Sequence, residues 1–138
     1  MKRIFTSLLC GLMSTAALAQ WSPTSMHGEK IRATSNVTSY YSLDLNAIRS
    51  TLANAQETGK NAKPVEIKLP TLNGKIERFA VYSAPVVVKS IADRHQLGSY
   101  VGVGIDDPTA YVRFSVAPND FQSMLLKNGN YEFIEPQN

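Results

Sequence analysis

Two histidines, one cysteine and eleven carboxylates are the stock from which this 138-residue chain could build a reactive or metal-binding site. A zinc hydrolase of the common type needs His-Glu-x-x-His on a helix. Two imidazoles then share one face and the glutamate serves as base. His27 and His95 stand 68 positions apart, and neither lies in such a motif. Asp93 and His95 could supply two members of a Ser-His-Asp triad. No Gly-x-Ser-x-Gly elbow exists to present a nucleophile, so Asp93-Arg94-His95 reads as a solvated turn. Gly98-Ser99-Tyr100-Val101-Gly102-Val103-Gly104 has the glycines of a phosphate loop but lacks Gly-Lys-Ser/Thr and opens no helix. Glycine in a strand, placed for a bulge or a close backbone approach, is the better reading. Asp106-Asp107 could contribute to a calcium site. Without a third or fourth ligand nearby, the pair reads as a turn. The expectation is a chain with no catalytic residue of its own.

Binding chemistry is similarly bounded. Tyr100, Tyr111, Phe114, Phe121, Tyr131 and Phe133 crowd the C-terminal half, with few basic residues among them. That excludes a nucleic-acid stacking platform. They read as core residues or cross-strand pairs, and as a docking patch if several share a solvent face.

The N-terminus explains the basic balance. Met1-Lys2-Arg3 precedes an apolar run from Ile4 to about Leu18 that closes on Ala17-Leu18-Ala19, with Gln20 next. This is the layout of a cleaved secretory signal over residues 1–19. The run is short for a membrane span, which needs about 20 apolar residues, and no second one follows, so no transmembrane anchor is expected. Lys2 and Arg3 leave with the signal, so 14 basic against 11 acidic residues become 12 against 11, a net +1. Cys10 leaves too, so the exported chain has no disulfide, thiolate ligand or cysteine nucleophile. What remains is enough for one domain, and the expected compartment is periplasmic or extracellular.

The elements that must position these residues follow from periodicity. Residues 20–39 read as an extended lead. Residues 40–57 read as the one clear helix, with Leu45, Ile48, Leu52 and Ala55 on one stripe, Asp44 as N-cap and Gly59 as C-terminal cap. The period then changes to two. Val65, Ile67 and Leu69 mark a strand, Asn73-Gly74 a turn, and Ile76 to Tyr82 the returning strand. Lys89 to Leu97 reads as one or two helical turns. Tyr100–Ile105 and Ala110–Val116 read as a strand pair about Asp106-Asp107-Pro108-Thr109. Phe121–Lys127 and Asn130–Ile134 form a hairpin about Asn128-Gly129. The predicted class is α+β: a twisted antiparallel sheet of short strands and hairpins, with one main N-terminal helix, over residues 40–138.

Two stretches carry a family likeness. Leu69-Pro70-Thr71-Leu72-Asn73-Gly74 runs into Phe79-Ala80-Val81 and Ser83-Ala84-Pro85-Val86-Val87. The more specific stretch is Ser99 to Ala110, with Gly104-Ile105-Asp106-Asp107-Pro108 at its heart, followed by Val112-Arg113-Phe114, Pro118-Asn119-Asp120-Phe121 and Tyr131 to Pro136. Over roughly residues 40–136 the chain resembles the N-terminal, propeptide-like region of secreted bacterial reprolysin-like (metzincin) zinc metallopeptidases. The resemblance implies a non-catalytic prodomain, present as a fragment or isolated domain, whose partner in cis or trans is the metallopeptidase catalytic domain. No cofactor is expected in this chain; the zinc belongs to the catalytic domain, which the resemblance places downstream. A carboxylate from Asp106, Asp107 or Asp120 is the candidate for blocking that zinc, since no cysteine is left to do so. The competing expectation is a stand-alone secreted or envelope binding or inhibitor module.

Overall fold

The computed structural model describes residues 20–25 and 37–137. His27 and the expected cleavage positions Ala17 and Ala19 lie outside the described residues; Gln20 is the first of them. The elements run β1 (Trp21–Thr24), β2 (Tyr40–Leu43), α1 (Leu45–Leu52), β3 (Val65–Pro70), β4 (Ile76–Ser83), α2 (Lys89–His95), β5 (Gly98–Gly104), β6 (Tyr111–Ala117), β7 (Asp120–Lys127) and β8 (Asn130–Ile134). Strands β3 to β8 form one six-stranded sheet in chain order, every neighbour antiparallel. Strands β1 and β2 form a separate antiparallel pair, with Trp21 opposite Leu43 and Thr24 opposite Tyr40.

The α+β expectation is therefore corrected: the fold is predominantly β, a curled antiparallel sheet with one short helix in its core. The expected helix over 40–57 shrinks to eight residues. Its start is as expected, with the Asp44 carboxylate accepting from the Ala47 amide at 3.0 Å. Upstream, Tyr40 to Leu43 is taken into β2 because Trp21–Thr24 pairs with it. Downstream, the chain is drawn out of the helix by the Ser83 amide, which donates to the Gln56 carbonyl at 2.8 Å. Helix α2 buries none of its residues and adds nothing to the core.

Alternation decides which side of the sheet is inside. Ile67 and Leu69, Phe79 and Val81, Val112, Phe114 and Val116, and Phe121 and Leu125 all point to the concave face and are buried. Ile48 and Leu52 of α1 and Trp21 of β1 cover them. Trp21 comes from the expected loose lead, yet it is only 5 % exposed. Its indole nitrogen donates to the Lys68 carbonyl at 2.8 Å, and its ring meets Phe121 edge-on at 5.3 Å. Strand β5 brings glycine to the same face. A Cβ on Gly102 would lie 2.8 Å from a Val81 methyl carbon, so the close-approach reading of this glycine holds.

The turns follow local chemistry. Asn128 and Gly129 both have positive φ, 52° and 77°, and close β7 on β8 with two residues. Asn73-Gly74 sits in a longer loop, since Pro70 pairs with Ile76. Among the described residues, β3 and β8 are the sheet's two free edges, so the curl does not close into a hydrogen-bonded barrel. The Leu72 amide spans the gap to the Glu132 carboxylate at 2.8 Å.

Candidate functional site

The carboxylates singled out by sequence serve the turn they occupy. Asp106 accepts from the Arg78 amide at 2.7 Å and from the Arg78 guanidinium at 2.8 and 3.0 Å. These bonds hold its carboxyl below the usual carboxylate range, the side-chain bond contributing most, and raise Arg78 in return. Asp107 accepts from the Thr109 hydroxyl at 2.6 Å and the Thr109 amide at 3.0 Å, and is lowered for that reason. The Asp107 carbonyl accepts from the Ala110 amide, and the Ala110 carbonyl from the Gly104 amide, both at 3.0 Å. A Cβ on Gly104 would fall 2.1 Å from the Asp107 carbonyl oxygen. Four members of the Gly104-Ile105-Asp106-Asp107-Pro108 element are thus accounted for by the turn, since the Ile105 amide also donates to the Arg78 carbonyl at 2.8 Å.

Asp120 lies elsewhere. It opens β7, at the far end of β6 from the turn holding Asp106 and Asp107. Seven strand residues separate the two ends, roughly 20 Å, so the three candidates do not converge on one ion. No group of three or more His, Cys, Asp or Glu suited to a metal occurs among the described residues. Asp93 and His95 sit on α2, where Asp93 accepts from Lys89 at 2.6 Å in an exposed pair.

The six aromatics divide by strand parity. Tyr100, Phe114 and Phe121 stack inside, with centroids 5.1 and 5.4 Å apart. Tyr111, Tyr131 and Phe133 stand outside. The register aligns Val103, Tyr111, Leu126 and Tyr131 in one cross-strand row, and Arg113, Met124 and Phe133 in the next. Tyr131 is 58 % and Phe133 61 % exposed, with their rings stacked at 6.4 Å. Val103, Tyr111 and Met124 are exposed beside them. The outer face of β5 to β8 is therefore an apolar patch containing one cation, Arg113, and it ends on the free edge of β8. A second exposed apolar stretch, Val86 to Val88, lies on the β4–β5 connection.

No family model, no curated protein and no solved structure matches the chain. Two surfaces suit macromolecular contact: the outer patch, and a cleft of about 890 Å³ between the β1–β2 pair and the β8 end of the sheet. Among the described residues, no helix is long and apolar enough to cross a membrane.

Several site residues escaped the sequence reading. Glu77 and Lys127 form an ion pair on the inner face, with side chains only 10 % and 12 % exposed. Strand parity carried the signal, for Glu77 shares its face with Phe79 and Val81, and Lys127 with Leu125. Arg78 as the partner of Asp106 left none, because β4 and the β5–β6 turn meet only through sheet register.

Proposed function

We propose that this chain is a non-catalytic prodomain of an exported zinc metallopeptidase precursor, assisting its folding and holding the catalytic domain latent. The observation that carries this reading is the outer patch of Tyr111, Met124, Tyr131 and Phe133 beside the free edge of β8. The solvent face of an antiparallel sheet is ordinarily polar. A contiguous apolar face with exposed aromatics marks a protein contact. The resemblance over residues 40–136 names the partner, and the absence of reactive groups in the patch fits a partner that supplies the chemistry. Latency then comes from steric coverage of the cleft that holds the zinc. Asp106 is already engaged by Arg78 of β4, and Asp107 by Thr109 of its own turn.

The test is inhibition. Residues 20–138, titrated against a reprolysin-like catalytic domain from the same source, should inhibit near one-to-one. Phe133→Ser with Tyr131→Ser should weaken inhibition at least about tenfold, as loss of central aromatic contacts does, with the unfolding midpoint little changed. Failure of the wild-type domain to inhibit at micromolar concentration would remove the reading. Asp106→Ala, Asp107→Ala and Asp120→Ala variants that inhibit as wild type does would leave coverage, and not zinc ligation, as the mechanism. A second reading, a stand-alone secreted or envelope binding module, is favoured by the cleft beside β8.

A further inference from the structure

The cleft lies where the curled sheet fails to close. The Leu72–Glu132 contact brings the β3–β4 loop to β8, but no ladder joins β3 to β8. The β1–β2 pair forms one wall, and the β7–β8 end of the sheet the other. Trp21, Tyr41, Leu125 and Ile134 supply the apolar part of a mixed polar and apolar surface. Its charged lining among the described residues is one-signed: Asp120, Glu132 and Glu135 line it, and no described lysine, arginine or histidine does.

Two further facts point to a ligand. The Ser123 hydroxyl and one carboxylate oxygen of Asp120 are buried without a hydrogen-bond partner among the described residues, and both residues line this cleft. Ser123 is only 5 % exposed. An unpaired buried polar group is costly, and an incoming hydrogen-bonding group removes that cost. The second fact is the backbone. Strand β8 pairs with β7 alone among the described residues, so its other edge keeps a row of unpaired amides and carbonyls. Such an edge is a template for an added strand, with main-chain bonds supplying affinity and adjoining pockets supplying specificity.

We propose that this cleft receives an extended peptide segment carrying lysine or arginine, added as a strand along Asn130–Ile134. Its cationic side chain is directed to Asp120, and its apolar neighbours pack on Trp21 and Ile134. The assignment does not depend on the prodomain reading, because it rests on Asp120, Ser123 and the β8 edge; Phe133 alone belongs to both the cleft lining and the outer patch.

The probe is a short end-capped peptide alternating valine and lysine, added to residues 20–138. Two controls accompany it: a valine–glutamate peptide, and the valine–lysine peptide with alternate backbone amides methylated. Saturable binding is expected, with new amide exchange protection at residues 130–134. The glutamate and N-methylated peptides should bind at least about tenfold more weakly. Asp120→Asn should weaken binding of the lysine peptide without shifting the unfolding midpoint. Ser123→Ala, which removes a hydroxyl that has no partner, gives a second folded variant with the same expected loss. The proposal fails if the lysine peptide does not bind at millimolar concentration, or if binding ignores charge and backbone methylation. It also fails if protection maps to the outer face, or if peptide binds only after residues 26–36 are deleted, which would assign the cleft to the chain's own segment. A dimer whose interface contains residues 130–134 would give the edge to a second copy and overturn it equally.

Discussion

Gly104 shows how little freedom the β5–β6 turn leaves. A methyl group there would collide with the Asp107 carbonyl, a backbone atom that cannot swing aside. Gly104→Ala is expected to destabilise the domain by about 1–3 kcal/mol, as overpacking a closed site does, measured by urea unfolding. The turn also sets a pH response. Asp106 and Asp107 have folded pKa values lowered by their hydrogen bonds from Arg78 and Thr109. A lowered carboxylate contributes stability that is complete above its unfolded pKa of about 3.9 and is lost as pH falls through the folded value. Unfolding free energy should therefore be insensitive to these groups near neutrality and decline below about pH 4. Asp106→Asn should flatten that decline while leaving the Asp107 share. Both groups are solvent-exposed, so the effect is modest.

Strand β1 is the element whose importance exceeds its length. It has four residues and no ladder to the main sheet, yet Trp21 closes the core over Phe121. Trp21→Ala should cost about 3–5 kcal/mol, with hydrogen exchange rising first at residues 20–24 and 40–43. The neighbouring helix is a milder case. Asp44→Ala removes its cap and should cost about 1 kcal/mol, since Ile48 and Leu52 still hold α1 on the sheet. Any processing after Ala19 would leave Trp21 as the second residue of the product. Gln20 is already tied down there, its carbonyl accepting from the Asp44 amide at 2.8 Å.

Across the whole molecule, the Glu77–Lys127 pair joins β4 to β7 over the concave face. Both side chains are nearly withdrawn from water, so removing one partner strands a charge. Glu77→Leu or Lys127→Met alone should cost about 3 kcal/mol. Glu77→Leu together with Lys127→Met should recover most of that loss, since apolar replacement of both partners is often neutral. A four-member denaturation cycle measures the coupling. If the double variant instead loses the sum of the two single losses, the pair adds no coupling and its role is packing alone.

What could be read without the fold was local. Alternation in Val65–Leu69 and Ala110–Val116 named strands and separated their two faces, because side chains change sides at every residue. Asn128-Gly129 named a turn, because both residues tolerate positive φ. The acidic cap of α1 was legible for the same local reason. Tertiary pairing decided the rest. Tyr40–Leu43 became strand once a distant partner covered it, Trp21 became core, and the expected α+β class gave way to a curled β sheet. Parity separates the two faces of a strand but does not say which face another segment will cover. Only the fold buried Phe114 and Phe121, half-buried Tyr100 against them, exposed Tyr131 and Phe133, and left the edge of β8 without a strand partner among the described residues, beside an acidic cleft. Burial is a property of the assembled layers, and the contacts that create it join residues far apart in the chain.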